Sequence, residues 1–364
     1  MVLAHKMVRF ETFPQDWSRS MLLDAAETWL KINLELVPHN LGLVDGHGGN
    51  FGQIENCRLT WFDFGSIVPI SKSVMGLEEY RQWFGNPLSV LSEKPPLGGL
   101  VRSSFRGSGI TDAETAAVLG KPSWSFARFL SGRAIAKENT VQGRRKLLLE
   151  AELAQLPKNL PPPGTFWQDY QQNNPLPPDE NNLNARRTAV RAVLQDLKPK
   201  TVADLAANEG FFSFMAARQG ASVFALDFDE GAVESLYRHA KTLPTSLSIT
   251  TACANVFIAR RTEPRVDLAM ALALTHHLAL GQKYRWEFPV KMLASYTTDA
   301  LLTEFMPNGL AGREGPKEPL PDWYTLQEFL SALEVHFREV KIVDYPAAAH
   351  AIPRTMILCT GRRI

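Results

Sequence analysis

Cysteine is scarce in this 364-residue chain. The three present, Cys57, Cys253 and Cys359, are odd in number and far apart. That excludes a disulfide framework and offers no zinc-ligand spacing, so no metal is expected. Cys253 and Cys359 lie in apolar, strand-like runs and read as small core residues. Long apolar stretches are missing too. None reaches about 18 residues, and the N-terminal MVLAHKMVRFE is too polar for a signal peptide, so no membrane partner is expected and the setting reads as cytoplasmic. An excess of one charge is also lacking: 39 basic against 38 acidic side chains leave a net charge of +1. The short Arg144-Arg145-Lys146 run falls on a predicted helix and reads as a solvated face. Without clustered Lys and Arg to neutralise phosphates, nucleic acid is not expected as a partner. No internal repeat is visible.

The chain instead shows two rhythms. Hydrophobic residues make up 45% and charged residues 21%, a mixture able to bury a core. Over 16–37, Trp17, Met21, Ala25 and Trp29 recur with helical spacing, ending at Pro38 and Asn40. Two short strand-like stretches follow, Gly42–Val44 and Leu59–Phe62. Helical patterns then cover 76–84, 111–119, 122–131 and 142–155. Four prolines within Leu156–Pro163 cannot continue a helix and read as a linker. This sets an expected boundary between a mainly helical domain with a short β-hairpin, 1–160, and a second domain, 161–364.

Beyond the linker, strands alternate with helices. A helix capped by Asn181 or Asn182 comes first. Strands follow at 201–207, 221–228, 246–254, 266–274 and 299–306, with helices at 210–220, 229–243, 282–296 and 325–337. Two last strands, near 339–345 and 354–360, have no helix between them. The pattern predicts an α/β, Rossmann-like seven-stranded sheet, mostly parallel, wrapped on both faces, with one antiparallel hairpin at the edge.

In such sheets a ligand sits at the carboxyl ends of the strands, near the first strand–helix turn. Here that turn is DLAANEGFFS, Asp204–Ser213. A dinucleotide site asks for G-x-G-x-x-G, so that backbone can approach a pyrophosphate. Only Gly210 is present, with Ala206 and Asn208 where further glycines would stand. This counts against NAD and FAD, but not against S-adenosylmethionine (SAM), which has no phosphate. Asp227, at the end of the second strand, lies 17 residues after Gly210, where an acid for ribose hydroxyls is expected.

On these residues, 182–364 resembles a class I SAM-dependent methyltransferase, with a D-x-(G/A)-x-x-x-G first loop and an acidic second strand. The resemblance implies SAM as cofactor. It places Asp204, Ala206, Asn208, Gly210 and Phe211 around the methionine part, Asp227 on the ribose, and Phe228 against adenine. Asn255 and Val256 would meet the adenine amine, and Trp167 and Tyr170 in FWQDY would form a lid or pack the linker. The pieces FPQDWSRSMLLDAA, DGHGGNF, FDFGS, FWQDY and LTHHLALGQ extend the resemblance to most of the chain. They are similar to a group of bacterial methyltransferases that includes a nodulation-associated protein. That group has an Asp-Ala-His-Pro-type loop; this chain has Asp45-Gly46-His47-Gly48-Gly49, whose added glycines predict a more pliable loop.

The fourth strand ends in LTHHLAL, where this fold faces the transferred methyl. His276 or His277 is the candidate base, since imidazole accepts a proton near neutral pH. Glu304, ending the fifth strand, would orient the histidine, bind substrate, or stand as a solvated strand end. The loop from Leu43 to Ser66 has kinase punctuation: Asp45, Asn50 five residues on, then Asp63-Phe64-Gly65. Yet about 40 residues precede it, and they hold neither a Gly-rich phosphate loop nor a V-A-I-K strand. A kinase-like remnant is expected, in which Asp45, His47, Asn50 and Asp63 either hold a polar substrate or bond the loop to itself. The leading expectation is methyl transfer to a small or medium-sized, sugar-like or specialised-metabolite acceptor lying between the two domains. Oxygen is preferred over nitrogen, in a monomer or homodimer. The alternatives are other SAM chemistry such as cyclisation, a SAM-binding partner without turnover, and least of all a phosphotransferase.

Overall fold

The computed structural model describes residues 7–70, 76–121, 137–167, 176, 179, 182–257, 264–312, 314–316, 319–346 and 351–363. The helix expected over 122–131 and the lid candidate Tyr170 lie outside them. The chain forms two compact units. The first is Met1–Gln168 with Asp229–Lys241 and Thr251–Cys253; the second is Asp169–Phe228, Thr242–Thr250 and Ala254–Ile364.

In chain order the strands are β1 Leu41–Leu43, β2 Phe51–Gln53, β3 Leu59–Trp61, β4 Ile67–Pro69, β5 Thr201–Leu205, β6 Ser222–Asp227, β7 Ile249–Cys253, β8 Val266–Ala271, β9 Thr297–Phe305, β10 Phe337–Val343 and β11 Thr355–Arg362. The helices are α1 Arg19–Leu36, α2 Gly76–Tyr80, α3 Asn86–Glu93, α4 Gly98–Ser104, α5 Asp112–Leu119, α6 Val141–Gln155, α7 Ala185–Leu197, α8 Phe211–Arg218, α9 Glu230–Lys241, α10 Glu287–Ser295 and α11 Leu326–His336.

The first unit is built on α1, which buries Met21, Leu22, Ala25, Ala26, Trp29 and Leu30. Trp29 packs on Tyr80 with ring centres 5.0 Å apart. Phe51 meets Trp61 and Phe84 edge-on. Each such ring, removed from water, contributes about 1.5–3 kcal/mol. The two strand-like stretches foreseen from the sequence do not pair with each other. β1 pairs antiparallel with β4, and β3 with β2. Gln53 lends its side-chain amide to Thr251, donating to the carbonyl at 2.7 Å and accepting from the N–H at 2.9 Å. It thus satisfies both backbone groups as a paired strand residue would.

Polar contacts tie α1 to α9 inside this unit. Arg19 is fully buried and pairs with Glu230 at 2.9 Å, and Arg102 bonds the same carboxylate. Ser20 N–H donates to Glu234 at 3.1 Å, and Tyr237 donates to Asp24. Arg145 corrects the expectation of a solvated basic run. It is 6% exposed and donates to Asn33 Oδ1 at 2.8 Å. Its neighbours on α6 keep the outward face.

The seven-stranded, Rossmann-like sheet has the order β10-β11-β9-β8-β5-β6-β7, and of it Thr251–Cys253 of β7 count to the first unit. β5 runs parallel to β6 and β8, and β8 parallel to β9, while β11 is antiparallel to both β9 and β10. The hairpin expected at the edge is therefore β10–β11. The chain goes from β5 to β6 and β7 on one side and then crosses to β8 on the other, so the switch point lies at the carboxyl end of β5. Element ends shift for local reasons. α7 is capped by Asn184, whose Oδ1 accepts from Arg187 N–H at 2.9 Å, and not by Asn181 or Asn182. β8 stops at Ala271 because Ala273 takes a left-handed conformation (φ 55°). The helix expected from 282 begins at Glu287, since Lys283 is also left-handed (φ 60°).

The glycines of the 45–49 loop serve close packing, which corrects the expectation of pliability. A Cβ on Gly46 would overlap the Trp29 indole, 2.9 Å from its Cε2, and one on Gly48 would overlap the Pro14 ring. Gly46→Ala is therefore expected to destabilise the protein by about 1–3 kcal/mol in urea unfolding, the cost of overpacking a closed core. A change within about 0.5 kcal/mol, the usual range of a surface substitution, would show that the loop yields.

Candidate functional site

The turn after β5 is built from left-handed residues. Ala206, Asn208 and Gly210 have φ of 68°, 51° and 86°. Only the glycine takes this conformation without strain; for Ala it costs about 1–2 kcal/mol. The strain is held by hydrogen bonds. Ala206 N–H and Ala207 N–H both donate to Leu226 O, at 2.8 and 2.9 Å, and Asn208 N–H donates to Asp227 Oδ2 at 2.7 Å. The turn is thereby fixed to the end of β6. Asp227 O in turn accepts Ala254 N–H at 2.8 Å, which brings the chain after β7 to the same edge.

Asp204, at the base of the turn, is 3% exposed and accepts the Ser213 hydroxyl at 2.7 Å. Burial, opposed by that hydrogen bond and reinforced by Asp227, pushes its carboxyl up to about 6. Phe211 is buried under the Arg187 guanidinium, 3.9 Å from the ring centre, so what it presents at the start of α8 is backbone. Phe228 is 62% exposed, an apolar ring directly after the acid. Asn255 Oδ1 accepts Phe257 N–H at 2.9 Å, and Val256 O accepts the Tyr296 hydroxyl at 3.0 Å.

Beyond β8 the chain is pinned by one carboxylate. Glu304 is fully buried. Arg186 grips it with Nε on Oε1 at 2.7 Å and Nη2 on Oε2 at 2.8 Å. Ala273 N–H reaches Oε2 at 2.8 Å and Arg354 Nη1 the same oxygen at 3.1 Å. The Thr275 hydroxyl donates to Glu304 O. Burial works against ionisation, but the charge and hydrogen bonds of Arg186, then Arg354 and Ala273 N–H, outweigh it and hold the carboxyl below its ordinary value. The reading of Glu304 as a solvated strand end is overturned. Its oxygens are occupied, so it positions the segment that leads to the histidines. Arg186 and Arg354 were not singled out from the sequence; the only signal was basic residues flanking a helix start and a strand start.

His276 and His277 follow at the entry to a wide helical turn, His277–Gly281, with ring centres 4.1 Å apart. His276 is 6% exposed, and its Nδ1 is buried without a hydrogen-bond partner among the described residues. Burial, then coupling to the neighbouring His277 ring and the Arg354 charge, pull it down to about 3 against the opposing pull of Glu304. Burial also lowers His277. Both imidazoles are neutral at pH 7.

The remaining candidates lie in the first unit. Trp167 N–H donates to Asp229 Oδ2 at 2.9 Å. In the kinase-like loop, Asn50 Nδ2 donates to Asp45 O at 2.9 Å and to Asp63 Oδ2 at 3.2 Å. Asp63 also accepts Gly65 N–H at 3.1 Å and the Ser66 hydroxyl. His47 Nδ1 accepts Gly49 N–H at 3.0 Å, and its Nε2 lies 3.4 Å from Asp45 Oδ1. These bonds tie the loop to itself. Among the described residues no group of three metal-ligating side chains converges, and no helix is long and apolar enough to cross a membrane.

No family model matches the chain. The nodulation protein NoeA of Rhizobium meliloti (strain 1021) is 26% identical over 392 residues, covering 93% of this chain and 78% of that protein. Solved structures with some likeness include the bifunctional kinase-methyltransferase WbdD (TM-score 0.36, 23% identity, 48% of this chain and 38% of that one). Others are the N-terminal domain of EvdMO1 in the presence of SAH and D-fucose (0.37, 18%, 50% and 84%) and the magnesium protoporphyrin IX methyltransferase ChlM of Synechocystis PCC 6803 with bound SAM (0.36, 15%, 64% and 90%). The chain thus spans well under half of WbdD, and overlap at this level transfers no function.

His276 generates a pH prediction. Its folded-state value lies below the ordinary 6.5, so the unfolded chain binds its proton first on acidification. Its contribution is fully present above pH 6.5 and is lost as pH falls toward 3, at about 1.4 kcal/mol per pH unit. Imidazole NMR signals of His276 should stay those of the neutral ring from pH 8 to pH 5. A midpoint near 6.5 would contradict the burial described.

Proposed function

We propose that this chain is a SAM-dependent methyltransferase acting on a small or medium-sized polar acceptor. The observation that carries the reading is the bond from Asn208 N–H to Asp227 Oδ2. It joins a glycine-poor, left-handed turn to an acid at the carboxyl end of the next strand, beside the switch point of the sheet. A pyrophosphate would need more glycine there; an adenosyl group with free ribose hydroxyls needs the acid. The residues fit such a group. Asp227 would hold the ribose hydroxyls, the exposed ring of Phe228 the adenine face, and Asn255 with Val256 the adenine edge. Asp204, Ala206, Asn208, Gly210 and the backbone of Phe211 would line the methionine portion.

SAM, when bound, supplies an electrophilic methyl group on a sulfonium. The chain's own work is to hold an acceptor in line with that methyl, keep water away, and take the acceptor's proton. A neutral imidazole can accept one, and His276 and His277 are both neutral at pH 7. Oxygen is the preferred acceptor because a hydroxyl must lose its proton on methylation; nitrogen is second. Glu304 keeps the histidine segment in place through Ala273 and Thr275. The nodulation relative favours a sugar-like or specialised-metabolite acceptor, by analogy alone.

Calorimetry tests the cofactor. SAM and its demethylated product S-adenosylhomocysteine (SAH) should bind, and ATP with magnesium should not. Asp227→Ala should weaken SAH at least tenfold, about 1.4 kcal/mol. Binding of ATP–magnesium in place of SAH would reverse the reading toward phosphate chemistry. Once an acceptor is found, loss of the base by His276→Ala or His277→Ala should slow methyl transfer about 10²–10⁴-fold. If neither change slows it, the base lies elsewhere.

A further inference from the structure

The Glu304 cluster carries more positive charge than it needs. One buried carboxylate faces two guanidiniums, and Arg186 alone satisfies it on both oxygens. Arg354 adds a single bond, Nη1 to Oε2 at 3.1 Å. No other hydrogen bond of Arg354 is made among the described residues, although its side chain is only 14% exposed. A guanidinium has five N–H donors in a rigid fork. None of the Arg354 nitrogens is among the buried, unpartnered ones, so the remaining donors meet water and are open to a ligand.

Topology says where those donors are. β11 runs antiparallel to β9, with Met356 opposite Glu304 and Thr355 opposite Phe305. Arg354, immediately before β11, therefore stands at the carboxyl end of the parallel strands, the edge at which such sheets bind ligands. It shares Glu304 Oε2 with Ala273 N–H, so it lies beside the segment that runs into His276. His276 contributes a second, independent opening: an imidazole 6% exposed whose Nδ1 has no partner among the described residues.

We infer that Arg354 is the anchor of an oxyanion subsite, and that the methyl acceptor carries a carboxylate or phosphate which the free edge of this guanidinium takes in a forked pair of hydrogen bonds. Bidentate capture of a planar or tetrahedral oxyanion is what the guanidinium fork does best. The inference rests on the methyltransferase reading for its acceptor, but not for its anion. An anion seated there also offsets the Arg354 charge that, after burial and His277, depresses His276. Acceptor binding would then raise the proton affinity of the candidate base.

Ligand-observed NMR on the full chain tests this with three probes of similar size: glucose, glucuronate and glucose 6-phosphate, each with and without SAH. The expected result is at least tenfold tighter binding of one anionic probe than of glucose, and the tighter of the two identifies the oxyanion. Arg354→Gln should abolish the preference, and Arg354→Lys, which keeps the charge but not the fork, should retain a reduced one. Far-UV circular dichroism and amide NMR of the same samples report whether each variant is folded, independently of SAH. Equal binding of glucose and both anions by the wild type overturns the proposal. So does an undiminished preference in a folded Arg354→Gln. Because the anion preference is also read without SAH, failure of SAH to bind sinks the cofactor assignment and leaves the anion result to be judged separately.

Discussion

One buried carboxylate organises the edge of the sheet on which the functional reading depends. Glu304 ends β9, draws in Arg186 from the second residue of α7, Ala273 from beyond β8, and Arg354 from the start of β11. Removing an ionised carboxylate from water costs several kcal/mol, and only well-aligned donors offset that. Four nitrogen contacts, three of them at 2.7–2.8 Å, do so here. The consequence is geometric. Ala273 can hold its left-handed backbone because its N–H is engaged, and that bend sends the chain into Thr275, His276 and the wide turn after it.

The same edge is electrically divided. On the side of β5 and β6 stand Asp204 and Asp227, buried acids coupled to each other. On the side of β9 and β11 stand two guanidiniums sharing one carboxylate. A cationic sulfonium cofactor suits the acidic side, and an anionic acceptor suits the basic one. His276, between the Ala273 bend and the wide turn, is kept neutral by burial first and by the Arg354 guanidinium beside it. The three ideas developed from the site, cofactor, base and oxyanion anchor, are thus parts of one charge distribution along the carboxyl ends of the strands.

Most of the second unit's architecture could be read from sequence because period and punctuation agreed. Long apolar strands alternate with helices, and the final helix-free pair pointed to an antiparallel hairpin. The turn Asp204–Gly210 and its acid Asp227 were legible for the same reason: they sit at fixed offsets from a strand. What could not be read was set by partners remote in sequence. Arg186 and Arg354 are ordinary basic residues until β9 brings Glu304 between them. Arg145 looked solvated because its partner Asn33 lies on another helix. β2 and β4, three residues each, are too short to show a period. Gly46 and Gly48 looked like sources of freedom, whereas Trp29 and Pro14 leave no room for a side chain there.

The most direct test of the central claim is a backbone-amide NMR titration of the deuterated full chain with SAH. The account predicts saturable shifts concentrated at Ala206–Phe211, Asp227–Phe228 and Asn255–Val256, with the Asn208 amide moving because its acceptor Asp227 gains a second partner. Shifts confined to the self-bonded 45–66 loop, or no saturable shift at millimolar SAH, would contradict it.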